Sequence, residues 1–211
     1  MLVACGDDDS GFEGAKTAWD YLNPGIDYGE FTDARDGQRY KTVKIGDQTW
    51  MAENLNYSVN PDVQSWCGGG SRETVGDCSK YGRLYTWAAA VDACPEGWHL
   101  SSKTEWRNLF NAVGGSSIAG QKLKVDSDLR NRYDGISNDD SFGFSALSAG
   151  YRYLNGYFID AGSNASSWSA SQREYDSYSA YSMYLNYDIE DASLWGNDKY
   201  YAFSVRCLRD E

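Results

Sequence analysis

Five cysteines constrain this chain more than any other feature of it. Cys67, Cys78, Cys94 and Cys207 fall in its patterned part, and Cys5 stands apart near the start. Setting Cys5 aside leaves an even number, compatible with two bridges and three connectivities. Cys67 and Cys78 flank Gly68-Gly69-Gly70-Ser71, a flexible stretch that can close a small loop. A Cys94–Cys207 bridge would tie the middle of the domain to its end, worth roughly 4–5 kcal/mol in the chain-entropy model. Zinc is the competing reading, but it wants closely paired ligands such as Cys-x-x-Cys or added histidine, and neither is present. Disulfides are expected, and with them an oxidising compartment outside the cytoplasm.

Leu2-Val3-Ala4-Cys5 resembles a bacterial lipobox, cut before a cysteine whose thiol is then acylated. Gly6, Asp7, Asp8, Asp9 and Ser10 follow, like the acidic start of a mature lipoprotein. Only four residues precede Cys5, short of a basic n-region and an apolar stretch of about 7–15 residues. Residues 1–5 therefore read as the remnant of a signal peptide, with a chance cysteine at a frayed terminus as the competing reading. Acyl chains add about 0.8 kcal/mol per buried methylene, so lipidation at Cys5 implies a membrane anchor. Residues 6–32 are acidic and weakly periodic and read as a flexible tether, although Trp19, Tyr21 and Leu22 can dock on the domain. The domain itself is expected over residues 33–211. Its expected place is the cell envelope, lipid-anchored to the outer membrane or the cell surface.

At 211 residues and 41% hydrophobic content the chain can bury one good core. Its formal net charge of −12 repels phosphate backbones and argues against a nucleic-acid partner. Three Pro against 22 Gly, 17 Tyr and 8 Trp suggest turn-rich β structure packed with aromatics. No run approaches the roughly 18–20 apolar residues of a membrane helix.

Along the chain, Asp36-Gly37 leads into Arg39–Ile45, and Gly46-Asp47 turns into Gln48–Leu55. This reads as a β-hairpin with Tyr40, Val43, Ile45, Trp50 and Leu55 available for the core. In Arg83–Ala93, Leu84, Trp87, Ala88 and Val91 recur at helical spacing, which predicts a helix with one apolar face ending at Cys94. Ser102-Lys103-Thr104-Glu105 fits a capping box, with Trp106, Leu109, Phe110 and Val113 behind it and Gly114-Gly115 as the stop. Residues 126–141 read as a long polar loop. Asn155-Gly156 then marks a hairpin between Ala146–Leu154 and Tyr157–Asp160, and Ser166–Ser171 reads as a short strand. Ala180–Tyr187 and Tyr200–Cys207 alternate as strands, the second turning Cys207 inward. The expected class is α+β, two helices packed on irregular antiparallel sheets with two disulfides.

Several motifs occur together and in order. Asp36-Gly37-Gln38-Arg39-Tyr40-Lys41-Thr42-Val43-Lys44-Ile45-Gly46 runs on into Gln48-Thr49-Trp50-Met51-Ala52-Glu53-Asn54-Leu55-Asn56-Tyr57. Tyr81-Gly82-Arg83-Leu84-Tyr85-Thr86-Trp87, Cys94-Pro95-Glu96-Gly97-Trp98-His99-Leu100 and Glu105-Trp106 come next. Gly143-Phe144-Ser145-Ala146-Leu147 and Phe203-Ser204-Val205-Arg206-Cys207 complete the set. Together they closely resemble the Fibrobacter succinogenes major paralogous domain over about residues 33–209. Ser101 and Ser148 stand where that family usually has proline. The resemblance implies an exported bacterial domain, often on lipoproteins, whose biochemical role is not established. Gly97–Leu100 with Glu105-Trp106 is also distantly similar to the formylglycine-generating-enzyme and C-type-lectin-like superfamily. That similarity implies a C-type-lectin-like fold with long ligand-binding loops, although fold alone does not give function.

No catalytic set emerges. His99 is the only histidine, with no nucleophile signature beside it, and a hydrogen-bonded structural role is expected. The formylglycine-generating enzymes work through a late cysteine pair, whereas here only Cys207 is late and it is assigned to a bridge. Among 31 acidic residues some pair will sit at glycosidase spacing by chance. Binding has more material. Asp188, Glu190, Asp191, Asn197 and Asp198 fall between the last two long strands, where C-type-lectin-like folds carry Ca²⁺ and sugar ligands. Oxygen-rich loops suit Ca²⁺, so these five are candidate metal ligands, with a solvated acidic loop as the plain alternative. Asn138-Asp139-Asp140 has the same two readings. Tyr178 and Tyr184 lie on the face opposite Tyr181 and Met183. With Trp195, Asn197 and Asp198 they are candidate ligand-binding residues. The expectation is a non-catalytic envelope module for a glycan or a protein partner. A structural or assembly component is the alternative, and a carbohydrate-active enzyme the remotest reading.

Overall fold

In the computed structural model, which describes residues 15–58, 65–125 and 138–211, the first hairpin forms as the alternation predicts. β1 (Gly29–Thr32) pairs antiparallel with β2 (Arg39–Ile45), which turns back into β3 (Gln48–Met51). Gly46 at the turn has φ +61°, which a two-residue hairpin needs and glycine adopts without strain. Tyr40, Val43, Ile45, Trp50 and Leu55 are all buried.

β4 (Ser65–Cys67), α1 (Cys78–Tyr81), β5 (Arg83–Thr86), α2 (Trp87–Ala90) and β6 (Trp98–Leu100) follow. α3 (Lys103–Ala112) starts on the predicted capping box, Ser102 accepting from the Glu105 amide and Glu105 from the Ser102 amide. α4 (Ser116–Leu123) has no cap residue to announce it. The C-terminal half holds β7 (Tyr151–Arg152), β8 (Phe158–Ile159), β9 (Asn164–Arg173) and β10 (Asp176–Asn186). β11 (Ala192–Asp198), β12 (Ala202–Ser204) and β13 (Cys207–Arg209) end it.

Two sheets result. One runs β1-β2-β3-β13-β6, the other β11-β10-β9-β12-β5-β4 with β7 and β8 attached. Trp50, Trp106 and Phe144 meet at centroid distances of 4.7–6.0 Å in the core beneath α3 and α4. A second core gathers Tyr40, Tyr85, Leu100, Trp168 and Phe203. Both disulfides form, Cys67–Cys78 and Cys94–Cys207, with Cα atoms 4.5 and 5.8 Å apart. The class is α+β, with four short helices among the described residues rather than two.

Four expectations need correction. Arg83–Ala93 is not one helix: Arg83–Thr86 is a strand between β4 and β12, and only Trp87–Ala90 turns helically. Leu84 and Tyr85 are adjacent and both buried, because each side of β5 is covered. The tether ends earlier than residue 32. From Ala18 the chain is docked, the Trp19 indole donating to Glu53 (2.7 Å) with Lys41 over its ring at 4.6 Å.

Tyr200–Cys207 does not form one strand, because the chain leaves one sheet for the other at Val205-Arg206. There the buried Arg206 guanidinium donates to Asn54 Oδ1 (2.7 Å) and to the carbonyls of Met51, Phe144 and Ser145. Finally, residues 192–198 form strand β11 rather than a polar loop. Cys5 and residues 126–137 of the predicted loop lie outside the described residues.

Candidate functional site

The candidate site grows from the two faces of β9, β10 and β11. In this ladder Leu185 pairs with Ala165 and Ala192, and Met183 with Ser167 and Leu194. These side chains face α3 and α4, and the apolar ones join that core. Side chains alternate along a strand, so Asn164, Ser166, Trp168, Ser182, Tyr184, Trp195 and Asn197 rise from the other face. Toward β12 that face is closed by Trp168 against Phe203, centroids 4.6 Å apart. Beyond them it opens into a cavity of about 350 Å³ lined by Tyr151, Asp160, Asn164, Ser166, Tyr184, Trp195, Asn197 and Tyr201.

Hydrogen bonds fix the polar groups of this cavity. The Tyr184 hydroxyl donates to Asn164 Oδ1 (3.1 Å) and accepts from Asn186 Nδ2 (2.9 Å). Asn164 Nδ2 donates to Asp160 Oδ2 (2.9 Å), and Asn197 Nδ2 to Ser182 Oγ (2.8 Å). Asp160 holds φ +61°, a conformation uncommon for any residue but glycine, and so presents its carboxylate at the end of β8. The rings form a wall: Tyr151 stacks on Tyr201 at 6.0 Å, and Tyr153 meets Tyr201 at 4.9 Å. Burial, with the nearby Asp160 charge, raises the phenols of Tyr151 and Tyr184. Burial and the Tyr153 contact push Tyr201 up to about 12. All three rings therefore stay neutral near physiological pH. Trp195 remains 60% exposed, an indole held at a rim rather than in a core.

Of the residues singled out from sequence, Tyr184, Trp195 and Asn197 meet in this cavity. Tyr178 lies apart, in a second hollow of about 470 Å³ with Trp87, Lys199 and Tyr200. Asp198 serves the turn after β11, its Oδ1 accepting from the Tyr200 amide at 2.9 Å. The proposed calcium set is not assembled. Asp188, Glu190 and Asp191 sit before β11, whereas Asn197 and Asp198 end it, roughly 20 Å away at the rise of a strand. Among the described residues no group of three or more His, Cys, Asp or Glu side chains is placed to hold a metal ion.

Asp139 and Asp140 of Asn138-Asp139-Asp140 are likewise used structurally. Asp139 pairs with Lys122 at 2.6 Å. Asp140 accepts from the Ser145 amide and hydroxyl, and burial pushes its carboxyl up to about 6. Sequence reading missed Asp160, Asn164 and Ser166. Asn164, Ser166 and Trp168 do alternate, a signal that extends the short strand predicted at 166–171 backward to Asn164. Nothing local marks Asp160.

His99 is hydrogen-bonded as expected. Its Nδ1 lies 2.6 Å from Asp210 and its Nε2 3.0 Å from Glu105, so it clamps the C-terminal segment to the start of α3.

The family model of the Fibrobacter succinogenes major domain matches residues 43–209, most of the chain. The chain belongs to this family. No curated protein and no solved structure matches it. Within this Fibrobacter succinogenes major domain the motif blocks build the frame: Trp50, Trp106 and Phe144 the core, Arg206 the sheet crossing, Cys94 and Cys207 the long bridge. Almost all of the cavity lining falls between those blocks, on β7 to β11. Frame and candidate site thus come from separate stretches of the same chain.

Proposed function

We propose that this domain is a non-catalytic binding module, C-type-lectin-like in fold, of an exported lipoprotein, and that it takes a glycan in the cavity over β9–β11. The observation that carries the reading is the meeting of an exposed indole, Trp195, with neutral tyrosines and fixed amides in one concavity. A pyranose offers a C–H face for an aromatic ring and hydroxyls at its edge for amides and carboxylates. Mostly apolar walls with a few convergent polar groups suit such small-ligand recognition. The Cys5 lipobox and the two disulfides support export and anchoring to the outer membrane or cell surface.

A glycan array probed with the wild-type domain and with Trp195→Ala, each with and without calcium, tests the binding claim. Binding that Trp195→Ala abolishes and calcium leaves unchanged is expected; silence across the array would sink it. Anchoring is tested by mass spectrometry of the membrane-extracted protein, where Cys5→Ser should remove the acyl mass. A second reading, an assembly component of the envelope, draws on Tyr178 and Tyr200, which are 76% and 74% exposed around the other hollow. It predicts self-association, read as a native mass above that of the single chain.

A further inference from the structure

We infer that the cavity over β9–β11 selects uncharged sugar units and turns away glycans that carry carboxylates or sulfates. This rests on the glycan reading and adds a ligand class to it. Among the described residues the ionisable groups of the lining are one carboxylate, Asp160, and tyrosines, with no lysine, arginine or histidine. Asp160 is fixed by the Asn164 amide and leaves Oδ1 to accept from a ligand hydroxyl. Charge-assisted hydrogen bonds of that kind are shorter and stronger than neutral ones.

The basic residues nearby turn elsewhere. Arg173 lies against the opposite face of β11, where a Cβ on Gly196 would meet its side chain at 2.3 Å. Lys103 also belongs to that far face, its ammonium 3.6 Å from the ring of Tyr181, which pairs with Gly196. Lys199, two residues beyond Asn197, gives its ammonium to Gln172 Oε1 and the Ser177 carbonyl, both at 2.6 Å. An anionic ligand would thus meet Asp160 without a compensating cation, in a protein of net charge −12. Like charges brought together at this exposed carboxylate oppose binding, whereas hydroxyl-bearing neutral rings meet acceptors and aromatic faces.

Calorimetric titration with two length-matched panels tests this: neutral xylo- and cello-oligosaccharides against oligogalacturonates. The proteins are the wild type, Asp160→Asn and Trp195→Ala, each checked for an unchanged far-ultraviolet spectrum. Asparagine tolerates the positive φ at position 160, so that variant keeps the backbone. Neutral panels should bind the wild type and uronates should bind roughly tenfold or more weakly. Asp160→Asn should narrow that gap to roughly threefold or less, and Trp195→Ala should weaken every ligand. Uronates binding the wild type as tightly as neutral chains would overturn the charge selection and leave the glycan reading intact. So would a gap unchanged in Asp160→Asn. No Trp195-dependent binding in either panel would overturn both.

Discussion

The Lys124 ammonium donates to the backbone carbonyl of Ile189 across 2.7 Å and also to that of Asn186. Lys124 is only 2% exposed, and it lies beneath the acidic turn that carries Asp188, Glu190 and Asp191. α4 presses on the same turn: a Cβ on Gly120 would stand 2.2 Å from the Asp191 carbonyl oxygen, and Gln121 N donates to Glu190 O. The turn therefore carries its own cation where an oxygen-rich sequence suggests calcium. Lys124→Met removes the donor from two carbonyls and should cost roughly 2–4 kcal/mol. Urea unfolding measures it. Millimolar calcium or a chelator should leave the wild-type midpoint unchanged; a rise with calcium would mean that an ion enters the turn after all.

The same lysine has a signature in pH. Burial depresses its ammonium from 10.5 to about 8, and the neighbouring carboxylates only partly restore it. Below about 8 both folded and unfolded chains hold the proton. Between about 8 and 10.5 only the unfolded chain does, so this group makes stability rise with pH across that window. Burial raises the phenols of Tyr40 and Tyr85, whose contribution is present below their unfolded value of 10.0 and lost as pH rises above it. Unfolding free energies for wild type and Lys124→Met between pH 7 and 10 should therefore diverge, with the alkaline rise smaller in the variant. Parallel curves would rule this account out.

Why Lys124 escaped sequence reading, while the hairpin and α3 did not, is a matter of range. Ser102 and Glu105 are three residues apart and meet each other, and the hairpin closes through Gly46 and its neighbour Asp47. Such features are written within one turn of chain. Lys124 meets Asn186 across 62 residues, and Trp19 meets Glu53 across 34. The helix expected over Arg83–Ala93 fails for a related reason. Leu84, Trp87, Ala88 and Val91 satisfy a helical period, but β5 takes partners from β4 and from β12, which is more than a hundred residues away. A strand buried on both faces loses the alternation that would have identified it. The candidate site was half legible: Tyr184, Trp195 and Asn197 stood out by residue type. Asp160 and Asn164 became partners only once β8 and β9 were placed.

His99 gives a titration that can be followed alone, since it is the only histidine. Burial works against its charge, but the hydrogen bonds it donates to Asp210 and Glu105 outweigh that and raise its pKa above 6.5. Its contribution is thus complete below 6.5 and lost as pH rises through the folded value. Glu105 is lowered by its bonds to Ser102 and His99 against the burial that raises it. Its contribution holds above 4.5 and is lost as pH falls through the folded value. The clamp works best between those limits. Both groups are partly exposed, so the pair is worth about 1 kcal/mol or less. The single imidazole resonance should titrate above 6.5 in the folded protein, and Asp210→Asn should move it down. An unmoved midpoint would dissolve the clamp.

The two disulfides differ in what they close. Cys67–Cys78 spans 11 residues and Cys94–Cys207 spans 113. The chain-entropy model assigns them about 3 and about 5 kcal/mol. Cys94→Ala with Cys207→Ala should accordingly lower stability more than Cys67→Ala with Cys78→Ala, as measured by urea unfolding of each pair. The reverse order would show that the smaller bridge, beside Gly68 and Gly69, holds native structure rather than restraining the unfolded chain.

Trp195 and Trp168 stand on the same face of the same ladder, both opposite Ser182, and make a controlled pair. Trp168 is fully buried, packs on Phe203 and donates its indole N–H to the Tyr85 carbonyl at 2.7 Å. Truncating it opens a cavity and removes that hydrogen bond, so Trp168→Ala should cost about 3–5 kcal/mol. Among the described residues Trp195 has no such attachments, and Trp195→Ala should change stability by about 0.5 kcal/mol or less. The binding readout should invert the order: Trp195→Ala should weaken a neutral oligosaccharide roughly tenfold or more while the fold persists. Large destabilisation by Trp195→Ala would instead make its indole a packing residue. The cavity would then have lost its platform, and the tyrosine wall alone would have to bind.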